Sequence, residues 1–251
     1  MRRINKLFWI GLCCPLLAWG QSSFQREWAA GVSAGVSLSS VSFSPRVLTK
    51  MQMGLTGGGT IRWITEPHLG LQLEANFIQQ GWTEKYDQAP EYHYSRTINY
   101  VEIPFLTHIY FGSDRFRGFF NMGPRIGFAL SESTDSNLNG TNPSPNRPDT
   151  QHELPIQKQF DWGLCGGPGI ELRTAIGYFL LEGRFNLSLS NIYNSHKGDT
   201  FSKSANQVIT AKLTYLLPFK HQKNIAHRFE KPWATVSKIT GNAFYSYGQR
   251  F

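Results

Sequence analysis

Residues 101–111 read VEIPFLTHIYF, and this stretch decides the fold because its side chains alternate with a period of two. Successive side chains of a β-strand point to opposite faces, so every second residue shares a face. One face carries Val101, Ile103, Phe105, Thr107, Ile109 and Phe111, and the other carries Glu102, Pro104, Leu106, His108 and Tyr110. The pattern predicts a strand with one strongly apolar face and one mixed, more polar face.

The same alternation recurs along the chain, and no segment between the repeats shows a convincing helical period. The alternating segments lie around 28–38, 55–63, 69–77, 100–111, 116–130, 161–173, 178–189 and 208–219. Each is roughly 9–15 residues long, which is enough to cross a bilayer at a tilt. Short connections at 65–68, 112–115 and 174–175 alternate with longer ones at about 39–54, 82–98, 131–159 and 191–206. Residues 21–219 are therefore predicted to form an eight-stranded antiparallel up-and-down transmembrane β-barrel with short periplasmic turns and longer extracellular loops.

Periodicity alone does not tell which face points inward, since a soluble lipocalin-like barrel would bury its apolar face. The interior of eight strands is just wide enough to be filled, and the apolar face carries more large side chains than that space takes. The opposite face is small or charged, and its charged residues are Arg62, Glu74, Glu102, Arg117, Arg125, Asp161, Glu171, Arg173, Glu182, Arg184 and Lys212. We therefore predict that the apolar face meets lipid and that these charges form a structural network in the lumen.

The near balance of acids and bases on this face predicts a closed lumen. An unpaired buried charge costs several kcal/mol, so each arginine should find a carboxylate. The candidate pairs join Glu102, Glu171 and Glu182 to Arg125, Arg173 and Arg184. The alternative is a selective ion path through the lumen, and neither interpretation needs a catalytic residue.

The charge of the chain is concentrated at its two ends. Charged residues make up 17% of the 251 residues, against about 25% in globular chains, and residues 21–219 balance their acids and bases. Residues 1–20 combine a basic start with a short apolar run ending in Ala18-Trp19-Gly20, which predicts a cleaved secretory signal peptide. Residues 220–251 form a basic tail, predicted to be periplasmic. This distribution gives no general basic face for nucleic acid, and Cys165 alone after residue 20 allows no intramolecular disulfide.

The sequence contains no motif that predicts a metal, a cofactor or catalysis. The histidines form no HxxxH or HxH pair, and the glycine runs at 57–59 and 166–169 lack the Lys-Ser/Thr and the helix of a phosphate-binding loop. His93, His152 and Asp87 fall in long loops, where a lipid-modifying enzyme could place them, but their spacing carries no information. We therefore predict a protein that is not an enzyme.

Three blocks resemble the PorT family of small outer-membrane barrels from Bacteroidetes. They are Tyr100–Leu106, Asp161–Leu172 and Gly177–Asn194. The second and third blocks are specific in combination, and the likeness covers roughly residues 24–219. The resemblance implies an outer-membrane β-barrel domain and a link to type IX secretion, which PorT itself supports. The tail 220–251 has no counterpart in this resemblance.

These observations predict a monomeric, integral protein of the bacterial outer membrane that supports protein secretion or envelope assembly. Its predicted partners are outer-membrane lipid and, through the tail, secretion or envelope-assembly proteins. Two alternatives stay open: a passive porin for small solutes, and a surface adhesin or receptor that acts through the loop 131–159.

Overall fold

The computed structural model describes residues 26–87, 89–143 and 149–219. The predicted signal peptide (1–20) and the predicted tail (220–251) lie outside these described residues. The strands are β1 (Glu27–Ser44), β2 (Thr49–Lys50), β3 (Gln52–Glu66), β4 (Leu69–Glu84), β5 (Tyr94–Gly112), β6 (Phe116–Ser136), β7 (Phe160–Thr174), β8 (Gly177–Ser188) and β9 (Lys203–Phe219). A short 3₁₀ turn occupies Thr150–His152. In the described part of the chain, no helix is long and apolar enough to cross a membrane.

The strands form one antiparallel sheet that closes on itself. Their order is β2-β4-β3-β1-β9-β8-β7-β6-β5, and β4 also pairs with β5. The pairing of β1 with β9 runs from Trp28↔Phe219 to Ser44↔Lys203. The prediction of an all-β, antiparallel, up-and-down arrangement is confirmed.

The strand count and the strand lengths differ from the prediction. The described residues contain nine strands rather than eight, because Thr49 and Lys50 pair with Glu84 and Thr83 and form β2. Two residues are too few for a detectable period, so this strand was hidden in the predicted loop 39–54. Seven of the other eight strands are longer than expected, up to 21 residues in β6, whereas β8 has the 12 residues of its predicted segment.

The two ends of the ring differ in the length of their connections, and we call them the turn side and the loop side. On the turn side, consecutive strands are joined by residues 67–68, 113–115 and 175–176. Gly112 and Gly177 flank two of these turns with φ of +123° and +146°, a backbone conformation that favours glycine. On the loop side, the connections are 45–48, 85–93, 137–159 and 189–202.

Apolar side chains cover the outside of the ring and polar side chains fill its inside. Leu73 and Phe105 are 45% and 50% exposed, whereas Arg125 and Glu182 are 1% and 3% exposed. A soluble barrel with an apolar core would show the reverse pattern. The alternating segment 101–111 therefore has its apolar face outward.

An apolar cluster closes each end of the interior. The turn-side cluster consists of Ala29, Ile64, Tyr110, Phe119, Tyr178, Leu180 and Leu216. The loop-side cluster is larger and includes Val41, Phe43, Ile78, Trp82, Tyr94, Ile98, Tyr100, Ile192, Tyr193, Phe201 and Val208. Glu74, Glu102, Arg125, Arg184 and Lys212 lie on the strands between these two clusters, so the interior has three layers.

Candidate functional site

The interior holds a group of four charged residues, which we call the central charged cluster: Glu74, Glu182, Arg184 and Lys212. Arg184 Nη1 and Nη2 donate to the two oxygens of Glu74 at 2.9 and 2.7 Å. Arg184 Nε donates to Glu182 at 2.8 Å, and Lys212 Nζ donates to Glu74 at 2.6 Å. Two cations thus meet two anions, and the cluster is formally neutral.

Neighbours on the same strand complete the hydrogen bonding of Glu74. The period of two in β4 puts Gln72 and Asn76 on the same face as Glu74. Gln72 Nε2 and Asn76 Nδ2 donate to the two carboxylate oxygens at 2.7 and 2.8 Å. Removing a carboxylate from water costs several kcal/mol, and these charge-assisted bonds offset part of that cost.

A second ion cluster centres on Arg125 of β6. Its Nη1 contacts Glu102 at 3.0 Å, and its Nη2 contacts Asp161 at 3.0 Å. Ser188 Oγ donates to Asp161 at 2.9 Å and also lies 2.5 Å from Arg125 Nη2. Ser190 donates to the other oxygen of Asp161. The arginine is therefore held by β5, β7 and β8 at once, which fixes the separation of these strands.

A third group lies near the turn side and joins β3 to β7. Arg62 Nη1 contacts Glu171 at 2.6 Å, and Arg173 Nε contacts the other oxygen of Glu171 at 3.4 Å. Arg173 also forms a forked contact with Glu27 at 2.5 and 2.6 Å. His108 is buried beside this group, with Nδ1 2.8 Å from Asn121 Oδ1.

The structure brings ten of the eleven residues predicted for the lumen network into these three groups and places Arg117 apart. The candidate pairs Glu102–Arg125, Glu171–Arg173 and Glu182–Arg184 are in contact at 3.0, 3.4 and 2.8 Å. Arg117 instead stacks its guanidinium 4.5 Å from the ring centre of Tyr110 and lies 3.9 Å from Asp114 in a turn. Arg184 and Arg173 also contact Glu74 and Glu27, which lie 110 and 146 residues away in the sequence. Sequence spacing gives no signal for contacts at such separations.

Two charged residues with several contacts on the loop side, Glu84 and Arg96, were not among the residues predicted for the network. Arg96 Nη1 donates to Leu154 O at 2.6 Å and to the Tyr193 hydroxyl at 2.9 Å. Glu84 lies 3.0 Å from His152 Nε2 and accepts a hydrogen bond from Gln151 at 3.0 Å. Both residues were assigned to a loop, whereas they lie on the extended ends of β4 and β5. The signal available was the continued alternation of these strand ends beyond membrane length.

Two tyrosine hydroxyls of the loop segments are held in their neutral form. Burial, and then the neighbouring carboxylate of Glu84, raise the pKa of Tyr86, whose hydroxyl donates to Glu84 at 2.9 Å. Burial raises the pKa of Tyr193 in the same way, although Arg96 opposes the shift. Both hydroxyls therefore remain hydrogen-bond donors at neutral pH.

The three residues considered for catalysis each contact a different charged residue. His93 lies 3.1 Å from Asp135, His152 lies 3.0 Å from Glu84, and Asp87 lies 2.7 Å from Lys85. Cys165 is buried with its Sγ 3.6 Å from Gly123 O. Across the ranges that the structure describes, no three His, Cys, Asp or Glu side chains form a possible metal site. The described residues of the interior pair their charges between two apolar clusters.

Comparison with known proteins adds a family and several similar folds. The family described as "Outer membrane protein beta-barrel domain" matches residues 19–194. The chain is similar to the outer membrane protein OprG from Pseudomonas aeruginosa, with 13% identity over 78% of this chain and 96% of that chain and a TM-score of 0.45. It is also similar to Ail of Yersinia pestis, with 12% identity, coverages of 76% and 99% and a TM-score of 0.39. It is also similar to outer membrane protein W of E. coli, with 16% identity over 76% of this chain and 97% of that chain and a TM-score of 0.35. No curated protein matches the chain in sequence.

Proposed function

The chain belongs to the outer membrane protein beta-barrel domain family, and from this we propose that it is a non-enzymatic, monomeric barrel that supports protein secretion or envelope assembly. The eight longer strands, β1 and β3–β9, span the outer membrane, and the outward apolar face contacts lipid. The turn side faces the periplasm and the loop side faces outward. Residues 1–20 are removed as a signal peptide.

The observation that carries the proposal is the closure of the interior. Trp82 in the loop-side cluster is 0% exposed, and Leu216 in the turn-side cluster is also 0% exposed. Between them, Arg62, Arg125 and Arg184 each contact a buried carboxylate within 3.0 Å. A solute would have to displace both apolar clusters and separate the ion pairs, which costs several kcal/mol per pair. This geometry supports a protein that works through its two ends rather than through its lumen.

The secretion role is supported by the resemblance of three sequence blocks to the PorT family, within Tyr100–Leu106, Asp161–Leu172 and Gly177–Asn194. β9 ends at Phe219 on the turn side, and the basic residues 220–251 follow it in the sequence, so a periplasmic partner could bind them. A barrel closed to solutes can anchor such a partner at the membrane without making it leaky.

Deletion of the gene followed by analysis of secreted proteins tests the role. We expect type IX cargo to disappear from the medium, to return with the full chain, and to stay absent with a chain ending at residue 219. A soluble periplasmic marker controls for lysis. Unchanged export in the deletion strain would remove the secretion role, and full rescue by the shortened chain would remove the tail as its docking segment.

A further inference from the structure

The loop side contains a pocket that is separate from the three ion clusters of the interior. It lies between the loop-side ends of β5 and β6 and the segment that follows β6, with a volume of about 330 Å³. This is the lower end of the range for small-molecule sites, about 300–1,000 Å³. The residues that line the pocket include Tyr94, Asn142, Asp149, His152 and Glu153.

One side of the pocket is formed by two aromatic rings, and each ring is held by a contact with a neighbouring residue. The rings of Tyr94 and His152 lie 4.3 Å apart between centroids. Tyr94 is 2% exposed, and its hydroxyl donates to Gln151 O at 3.4 Å. His152 Nε2 lies 3.0 Å from the carboxylate of Glu84, which favours the tautomer with hydrogen on Nε2 and leaves Nδ1 of the neutral ring as an acceptor. The rings are therefore positioned before any ligand binds.

The other sides carry neutral polar groups and carboxylates. The lining includes the hydroxyls of Thr134, Ser136, Thr141 and Thr150, the amides of Asn139 and Asn142, and the carboxylates of Asp149 and Glu153. Asn142 Nδ2 donates to Asp149 at 2.8 Å, which orients both side chains. Among the described lining residues there is no arginine or lysine, so these residues give a phosphate or a sulfate no cationic partner.

We propose that this pocket binds a neutral sugar of the hexose or N-acetylhexosamine class, as one unit of a glycan. Carboxylate and amide side chains can pair with adjacent sugar hydroxyls, and the C–H face of a pyranose can pack on the ring of His152, whose side chain is 16% exposed. Asp149 and Glu153 are the two carboxylates of the described lining, and no three His, Cys, Asp or Glu side chains of the described residues form a possible metal site. The inference goes beyond the proposed function, because neither a closed lumen nor a secretion role requires a ligand at the loop side.

Calorimetric titration of the full chain tests the proposal, in micelles of an amine-oxide detergent because maltoside headgroups would compete. The probes are glucose, galactose and N-acetylglucosamine, each with and without Ca²⁺, beside glucose 6-phosphate as an anionic analogue. We expect saturable binding of at least one neutral sugar without Ca²⁺, and weaker binding of the phosphate. Asp149→Ala should weaken binding about tenfold or more, since a hydrogen bond to a charged group is lost, and Glu153→Gln should weaken it less.

The matched control is Asp199→Ala, which removes a carboxylate that accepts from His196 N in the loop 189–202, outside the pocket. It should leave sugar affinity unchanged, and heat-modifiable migration should be the same for every variant. The proposal is overturned by no binding of any neutral sugar, by binding that requires Ca²⁺, by preference for the phosphate, or by an affinity that Asp149→Ala does not change.

Discussion

At Arg184, three guanidinium nitrogens contact two buried carboxylates, so its loss would affect the interior more than that of an exposed charge. Arg184→Leu removes the contacts to Glu74 and Glu182, all 2.7–2.9 Å long, and leaves the central charged cluster with one uncompensated negative charge. Breaking a buried ion pair from one side costs about 3–5 kcal/mol. We expect the free energy of unfolding to fall by this amount in urea titrations of the protein in lipid vesicles.

A second substitution separates the charge effect from lost packing. Arg184→Leu with Glu182→Gln restores neutrality, because Lys212 still faces Glu74 at 2.6 Å, and part of the lost stability should return. Arg115→Leu, in an exposed turn, is the control and should change stability little. An unfolding midpoint unaffected by Arg184→Leu would contradict the inward, paired position of this charge.

Alternation was sufficient to put Glu74, Arg184 and Lys212 on one face, but not to pair them. Their side chains come from β4, β8 and β9 and meet across the interior of the ring. Such a contact depends on the stagger between strands, which the period of two leaves undetermined. Arg117 illustrates the limit, since it shares the periodic face of β6 with Arg125 yet packs on Tyr110 near a turn.

Strand β5 carries two outward-facing phenylalanines at different positions along its length. Phe105 lies near the middle of the strand and Phe111 near its turn-side end, and they are 50% and 63% exposed. A lipid-facing arginine costs about 2–4 kcal/mol at the bilayer midplane and about 0–1 near the interface. We therefore expect Phe105→Arg to lower the free energy of unfolding in vesicles by the larger amount.

Phe111→Arg is the matched control because the strand, the residue type and the new charge are the same. It should lower stability by no more than about 1 kcal/mol. Equal losses for the two variants, or none for either, would show that hydrocarbon does not surround β5 and that the outward apolar face meets another environment.

The strand ends were the least predictable elements. The alternation of apolar and polar residues is clear where the outward face is apolar, as in 101–111. It weakens where both faces of a strand contact polar groups. β6 continues through Ser131–Ser136, which the sequence analysis assigned to a loop because these residues carry no apolar alternation. The turns were easier, since short polar connections such as 113–115 lie between two clear alternating segments.

For the whole molecule, the three layers of the interior act in series. The loop-side cluster packs Phe43 against Trp82 and Phe201 at 5.3 and 5.1 Å between ring centroids. The turn-side cluster packs Phe119 beside His108 at 5.1 Å. Because the ion clusters fill the space between these aromatic groups, removal of one layer leaves two in place.

This series arrangement makes a specific prediction for planar bilayers. The intact chain should give no stepwise conductance, and neither should a chain lacking residues 139–155, because the buried residues of both apolar clusters and of the central charged cluster lie outside this segment and still block the path. Heat-modifiable migration must first show that both proteins are folded. A porin of similar size, inserted under the same conditions, shows that insertion and detection work. Discrete conductance steps from the intact chain would contradict the closed interior and favour a passive channel. Steps from the shortened chain alone would assign the barrier to residues 139–155 and show that the two apolar clusters and the central charged cluster do not block ions by themselves.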